Sequence, residues 1–485
     1  MWSLTKWHDA TRWTALLFVA RCASFGLAQS LPVSPDHPWH SPVAMNIEAD
    51  VRNIPNSTFS IDTAKTYSLS ELIDLAEAHN PATRVAWERA RAQAANLGVA
   101  RSELFPTLAA AAVSQTTRQE VLFSSRFYGQ VIQDFQVALD LNYTVFDFGA
   151  RSGRIDAARA QVLAANFSFN DSHRNVIYQV QTAYYRLLNA MGQEDAVRAS
   201  LSNAQAVQHA AEDRLAHGLA TLPDVLEAQS ATAQAEYDLQ AVIGAEKNAR
   251  GDLATAVGAL ATTVIQVQRP DQIPTPESIG DTIDQAIHRA FAQRPDLMQR
   301  VTEIRSANAG VKQARAAYYP ALSLAASPAV PSLYGMQEPY PWSHTADLTG
   351  SMAFNLSWTV FDGAARKNRL REAEANVHAA EAQASLTRNQ IADEVWTAYS
   401  NLDTAFRQRQ AALALLQAAG QSYSAALESY KYGVRSLLDV TAAQRTLAQA
   451  RSADVSARTE VLTEIANLAF TTADSVQGGQ TRPRP

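Results

Sequence analysis

FQVALDLNYTVFD, residues 135–147, decides how the rest of the chain is read. Apolar side chains fall at every second position: Phe135, Val137, Leu139, Leu141, Tyr143 and Val145. Between them stand Gln136, Ala138, Asp140, Asn142 and Thr144. Successive side chains of a strand point to opposite faces, so this alternation predicts a two-faced β-strand. The surrounding chain is rich in alanine, glutamine and arginine and reads as helix. The pattern also returns: MAFNLSWTVFD at 352–362 sets Phe354, Leu356, Trp358 and Val360 in the same alternation.

That return is part of an internal duplication. HNPATRVAWERARAQAANLGVARSELFP at 79–106 aligns with QRPDLMQRVTEIRSANAGVKQARAAYYP at 293–320, an offset of 214. YTVFDFGARSGR at 143–154 aligns with WTVFDGAARKNR at 358–369, and HGLATLPDVLEAQ at 217–229 with YGVRSLLDVTAAQ at 432–444, both offset by 215. Landmarks in one order at one spacing predict two copies of one unit, at 69–262 and 283–472.

Each unit reads helix, β-hairpin, long helix, break, helix. Ser68 with Glu71 forms a capping pattern, Pro81 interrupts the first helix, and Pro106 closes it. The hairpins are expected over about 107–146 (strands 107–121 and 131–146) and 320–361. From Gly149 to His217 no proline intervenes. Val176, Val180, Ala183, Tyr184 and Leu187 form a stripe there, repeated as Ile391, Val395, Ala398, Tyr399 and Leu402. Nearly seventy helical residues span roughly 100 Å, longer than any ordinary globular domain. Gly218 and Gly433 suit left-handed helix ends. Thr221 with Asp224, and Ser436 with Asp439, restart the next helices as capping boxes, so the helical hairpins turn at 218–222 and 433–437. Residues 29–68 and 473–485 read as irregular, and 263–282, containing QRPDQIPTPESIG, as a connector.

The chain has 485 residues, with 41 basic and 47 acidic side chains and a net charge of −6. That acidity argues against a nucleic-acid partner. Its single cysteine, Cys22, excludes an internal disulfide. Residues 1–28 resemble an export signal: Lys6 and Arg12, then TALLFVA, then small residues to Ala28. Arg21 precedes Cys22 where lipidation wants a small residue. No apolar run reaches 18 residues, so no transmembrane helix is expected. No catalytic or metal-ligating motif occurs, and no acid, base or nucleophile set converges; His37 and His40 in HPWH make a poor metal site. The expectation is no enzyme activity and no cofactor.

The strands admit two readings. Their apolar face can be buried on helices, as in a soluble sheet. Alternatively it faces lipid while small polar residues face water, the pattern of a transmembrane barrel. Some 9–11 residues cross a bilayer in that form. Tyr143 and Trp358 stand at equivalent positions near one strand end, where an interfacial aromatic belt belongs. Four strands cannot close alone and open edges do not survive in lipid, so the second reading requires several chains in one barrel.

The paired VFD-G-AR junctions and the paired G-x-x-x-L-x-D-V turns resemble the TolC-like outer-membrane efflux channel family, over residues 69–472. The resemblance implies a mainly α fold with a transmembrane β part: a homotrimer whose twelve-stranded β-barrel in the outer membrane joins a long α-helical barrel in the periplasm. It implies docking to a periplasmic adaptor and an inner-membrane pump, as the exit duct for drugs, metals or, in type I secretion, proteins. By the same resemblance, Tyr430 and Arg435 reach Asp224 on a neighbouring hairpin to hold the periplasmic end shut, and Asp439 contributes to an acidic ring. Pro223 replaces a hydroxyl residue common beside the latch aspartate, and Ala442 stands where a second acidic ring is common. Asp224 and Asp439 also read simply as helix-capping residues. Two other architectures compete: a coiled-coil scaffold whose strands pack on the rods, and an adaptor, which should carry glycine-rich β domains that this chain lacks.

Overall fold

The computed structural model describes residues 61–269 and 282–474, with Ile47, Asp50, Val51 and Asn53 besides. The chain divides into two units, residues 1–57 and 58–485. In the first, Ile47, Asp50 and Val51 are helical and Asn53 lies in a turn. The export signal, Cys22, His37 and His40, most of the connector and the C-terminal tail from 475 onward lie outside the described residues. All that follows concerns the second unit.

Its order is β1 (Thr66–Tyr67), α1 (Leu69–His79), α2 (Pro81–Ser102), β2 (Thr107–Phe123), β3 (Arg126–Phe146), α3 (Ala150–Ala216), α4 (Leu222–Val257) and β4 (Gln266–Val267). The second repeat supplies α5 (Ile283–Gln293), α6 (Pro295–Ala316), β5 (Ala321–Gln337), β6 (Ser343–Ala346), β7 (Thr349–Ser357), α7 (Ala365–Lys431) and α8 (Leu437–Thr472). Corresponding helices have equal lengths: 11 residues in α1 and α5, 22 in α2 and α6, 67 in α3 and α7, 36 in α4 and α8. The stretch read as irregular before residue 68 contains β1, which pairs in parallel with β4 of the connector.

Local chemistry explains the breaks. Asn80 accepts from the Ala82 N–H to cap α2, whose first residue is Pro81; proline lacks only a donor that a helix start leaves unpaired anyway. The same Asn80 donates through Nδ2 to the Ala256 carbonyl, 2.9 Å away, at the end of α4. In the second repeat Arg294 takes this place and reaches the Thr471 carbonyl at the end of α8. One job, binding the orphan carbonyls of a distant helix end, is done by two unlike residues.

The interior is a seam rather than a globular centre. Val176, Val180, Ala183, Tyr184 and Leu187 of α3 are buried with Leu72 and Ala76 of α1 and Leu253, Ala254 and Val257 of α4. In the second repeat Ile391 and Val395 of α7 meet Ala286 and Ala290 of α5. Tyr399 is only half-buried, unlike its counterpart Tyr184. Arg174 and Arg294, 3% exposed each, sit where the repeats meet. Arg174 is held by Asp171 at 2.7 Å, and Arg294 by Asp296 at 2.6 Å and Glu394 at 2.5 Å. Buried cations need such partners, since removing one strands an uncompensated charge.

Two strand boundaries differ from those expected. Phe123 and Arg126 are paired, leaving a two-residue turn at Ser124 and Ser125, both with positive φ. That is the hairpin form whose twist suits the flanking strands, and it replaces the longer loop at 122–130. The second hairpin ends early: β7 stops at Ser357, so Trp358 and Val360 lie beyond the strand. Residues 343–357 form one strand interrupted at Asp347 and Leu348, opposite Val330 and Pro331. Pro331 has no N–H to give a ladder. Pro328 has the same effect on its other side. The β3–β5 pairing skips Leu139 and Asp140, and there the Ser327 hydroxyl donates to Asp140 at 2.6 Å.

Close helix contact between repeats depends on Gly192 in α3, where an added Cβ would meet the Val455 Cγ1 of α8 at 2.6 Å. Gly192→Ala should lower the thermal unfolding midpoint. Overpacking of about 1–3 kcal/mol outweighs the roughly 1 kcal/mol that alanine gains in a helix. An unchanged or raised midpoint would show that the crossing has slack.

Candidate functional site

The sheet runs β2–β3–β5 and then β6 and β7, all antiparallel, with β2 and β6/β7 as its edges. Residues opposite each other share a face. Leu141 faces Leu108 on β2 and Ala326 on β5, and Ala326 faces Met352 on β7. Tyr143, Leu324 and Phe354 form the next row, and Leu322 faces Leu356. So Phe135, Val137, Leu139, Leu141, Tyr143, Phe354 and Leu356 do share one face. A bulge between Thr144 and Phe146 displaces Val145, which stays exposed. Among the described residues no helix packs along either face of the sheet, which counts against the scaffold reading in which the strands lie on the rods.

The opposite face is small and polar. Asn142, Asp140, Ala138 and Gln136 of β3 stand beside Thr107, Ala109, Ala111 and Val113 of β2. β3 carries two acids, Asp134 and Asp140. On β3 the apolar residues Phe135, Val137 and Leu139 are exposed, whereas Gln136, Ala138 and Asp140 are half-covered.

Aromatic residues mark both ends of this wall. Toward the helices, Phe105, Phe146, Phe148, Tyr319 and Trp358 are exposed. Phe148 stacks on Tyr319 with centroids 4.9 Å apart, and the Trp358 indole donates to the Tyr318 carbonyl at 3.2 Å. Trp358 thus stands with these rings from beyond the strand. Toward the hairpin tips, Phe127, Tyr334, Tyr340 and Trp342 are exposed. Rings with one apolar and one polar end gather at membrane–water boundaries.

The VFD-G-AR motif proves to be the joint between wall and rod. Asp147 accepts from the Gly149 and Arg151 N–H groups and from Arg151 Nε, while Arg151 Nη2 donates to the Val145 carbonyl. Asp362 and Arg366 repeat this geometry, with Arg366 donating to the Val360 carbonyl. Two successive left-handed residues make the corner: Phe148 and Gly149 in one copy, Gly363 and Ala364 in the other.

At the far end the rods turn. Gly218 and Gly433 have φ of +70° and +75° and close their helices as glycine C-caps do. Leu219 N–H returns to the Arg214 carbonyl at 2.7 Å, and Val434 N–H to that of Ser429 at 2.8 Å. Asp224 accepts from the Thr221 backbone and hydroxyl at 2.8 and 2.7 Å; Asp439 accepts likewise from Ser436 at 3.2 and 2.9 Å. The turns occupy 217–221 and 432–436, each starting one residue earlier than expected. The Thr221 N–H, followed by its hydroxyl, holds the Asp224 carboxyl below the usual aspartate range. Burial pushes the Tyr430 hydroxyl up.

Of the residues singled out at this end, Tyr430 is buried among Val207, Ala211, Val225 and Leu437. Arg435 is exposed, and its side chain has no partner among the described residues; within one chain it does not reach Asp224. A residue that sequence reasoning missed occupies the junction. Arg214 donates through Nη1 to the Tyr430 carbonyl at 2.8 Å, and its guanidinium lies 4.8 Å from the Tyr430 ring. Its position, one turn before a glycine cap, was a weak signal. No metal-binding group of three or more His, Cys, Asp or Glu exists among the described residues, and no described helix is long and apolar enough to cross a membrane.

A family model described as outer membrane efflux protein matches residues 72–259 and 286–473. The chain is 28% identical over 398 residues to Protein CyaE of Bordetella pertussis, covering 81% of each. It is 26% identical over 418 residues to outer membrane protein OprJ of Pseudomonas aeruginosa, covering 84% of this chain and 83% of the relative. Among solved structures, a membrane protein from Pseudomonas aeruginosa superposes with a TM-score of 0.74 at 25% identity, over 90% of this chain and 100% of that one.

Asp224 yields a pH prediction. Its carboxyl is lower in the fold than in an unfolded chain, so its contribution is fully present above pH about 4. That contribution is lost as pH falls through the lowered value. Amide exchange at Thr221, Leu222, Asp224 and Val225, corrected for intrinsic rates, should therefore accelerate as pH drops below about 4. Asp224→Asn should abolish that dependence. Identical profiles in the two proteins would contradict the capping role.

Proposed function

The chain belongs to the outer membrane efflux protein family, and from that premise we propose that three copies build one pore through the outer membrane. The protein is an outer-membrane efflux channel with a periplasmic helical extension. One observation carries the assembly of several chains: among the described residues the sheet has an apolar row on one face, no helix on either, and two unpaired edges. Four strands from each of three chains make a closed wall of twelve. The row from Phe135 to Tyr143, with Phe354 and Leu356, then faces lipid. Asp140, Asn142 and their small neighbours face the water-filled lumen. The 67-residue helices continue the duct into the periplasm, and the repeats with their connector form one domain each and a belt between.

The tips supply the gate and the dock. Asp224, Tyr430 and Arg435 form the closing contacts, with Arg435 free to reach Asp224 of an adjacent chain. Exposed ion pairs are worth about 0–1 kcal/mol each, weak enough for a latch that must open. Asp439, repeated threefold, sets an acidic ring favouring cations. Pro223 removes a hydroxyl from the latch, and the exposed Ala442 leaves the aperture one charge ring short. Leu219, Leu222, Tyr432, Val434 and Leu438 are all exposed around the turns. That apolar fringe supports docking of a periplasmic adaptor, which joins the duct to an inner-membrane pump. The tunnel lining carries no signature of its cargo.

The two faces of β3 test this reading. Leu139→Arg places a charge in lipid, at about 2–4 kcal/mol near the midplane, and should abolish recovery from the outer membrane. Gln136→Arg, on the lumen face, should insert normally and reduce cation conductance in planar bilayers. Equal insertion of both variants would refute the orientation of the wall.

A further inference from the structure

We propose that Arg214 is a latch between the two helical tips of each chain, and that opening at this end requires this arginine to let go of the second tip. The inference rests on the gate reading above and assigns it a positioning residue.

Arg214 stands in the last turn of α3 and reaches the last turn of α7. Nη1 donates to the Tyr430 carbonyl at 2.8 Å and to the Lys431 carbonyl at 3.2 Å. Nη2 donates to the Leu219 carbonyl, in the turn of its own hairpin, at 3.0 Å. One planar guanidinium therefore ties the turn of the first repeat to the helix end of the second. The negative end of the α7 dipole lies there. The Tyr430 carbonyl also accepts from the Gly433 N–H at 2.9 Å, so the arginine adds a cation from the other hairpin to a helix end that its own glycine turn already caps.

Three further features mark the contact as built. The guanidinium lies 4.8 Å from the Tyr430 ring centroid, within cation–π range. Gly433, at φ +75°, packs beside the guanidinium; even a Cβ there would stand 3.6 Å from Nη2, an ordinary contact. Tyr430 itself is 3% exposed and packs with Val207, Ala211 and Leu437, so the arginine grips the rooted part of the turn. Asp224 is close enough for the Arg214 charge to contribute to its lowered carboxyl, but it makes no ion pair with it. The Asp224 carboxylate is bound instead to Thr221 and remains on the surface.

The contact runs one way. At the repeat offset of 215, Arg214 corresponds to Ser429, Tyr430 to Leu215 and Lys431 to Ala216. A serine cannot return the reach. Within a chain the two tips share an apolar cluster, with Val207, Ala211 and Val225 against Tyr430 and Leu437, and Arg214 adds the polar tie across it. Removing Arg214 removes that tie and none of the groups that the gate reading places between chains.

The test is single-channel conductance of the purified full-length protein in planar bilayers, with particle mass measured alongside. Arg214→Ala should raise conductance at least threefold with the particle mass unchanged. Arg214→Lys keeps the charge but can serve fewer of the three carbonyls, so it should fall between alanine and wild type. If Arg214→Ala does not assemble, the lysine variant decides: intermediate conductance supports the latch, and wild-type conductance overturns it. Arg214→Ala at wild-type conductance would also overturn it, and would assign opening to movement between chains. A wild-type protein that forms no pore would sink the channel reading itself, a result distinct from a conducting channel indifferent to residue 214.

Discussion

A four-stranded antiparallel sheet has two edges whose N–H and C=O groups point at nothing, and hydrocarbon offers no water to bind them. Every such group left unpaired in lipid costs several kcal/mol. β2 and the interrupted β6/β7 strand are those edges here. Pairing edge to edge with other copies satisfies both, so closure is a requirement of the backbone before any side chain is considered. Alternation then decides which face looks outward. With the wall oriented as proposed, shifting β3 by one residue would carry Asp140 and Asn142 into lipid and Leu139 and Leu141 into water.

From that wall the remaining architecture follows. A strand leaning on lipid must hand its direction to a helix without exposing backbone groups at the corner. The Asp147–Arg151 and Asp362–Arg366 pairs do this by binding N–H and C=O groups around two left-handed residues. Helices of 67 residues then carry the duct away. They are held by a narrow seam of valine, leucine and alanine, with Arg174 and Arg294 clamping the α8 end through the Phe470 and Thr471 carbonyls. A narrow seam leaves the tips dependent on few contacts, those of Arg214 among them.

What could be read in the sequence was whatever depends on periodicity or on near neighbours. The alternation of Phe135 to Tyr143, the stripe of Val176 to Leu187, and the capping pairs Thr221–Asp224 and Ser436–Asp439 are local, and the repeat offsets doubled each signal. What could not be read depends on the backbone of a distant segment. The break at Asp347–Leu348 is caused by Pro331 across the sheet, and the short β7 leaves Trp358 and Val360 outside the strand. Asn80 and Arg294 perform one task with different chemistry, so the alignment of the repeats hid it. Arg214 binds carbonyl oxygens, which every residue possesses and no sequence pattern marks. Within one chain Arg435 is exposed and does not reach Asp224, so the latch proposed for it would need a second chain.

The central claim is that one chain supplies only a third of a closed wall. The measurement that addresses it most directly is the protein mass of the particle extracted with mild detergent from isolated outer membranes. The account predicts three chains per particle, insoluble without detergent. A water-soluble monomer or dimer would contradict it, because a single sheet with two open edges could then exist without the partners that lipid demands.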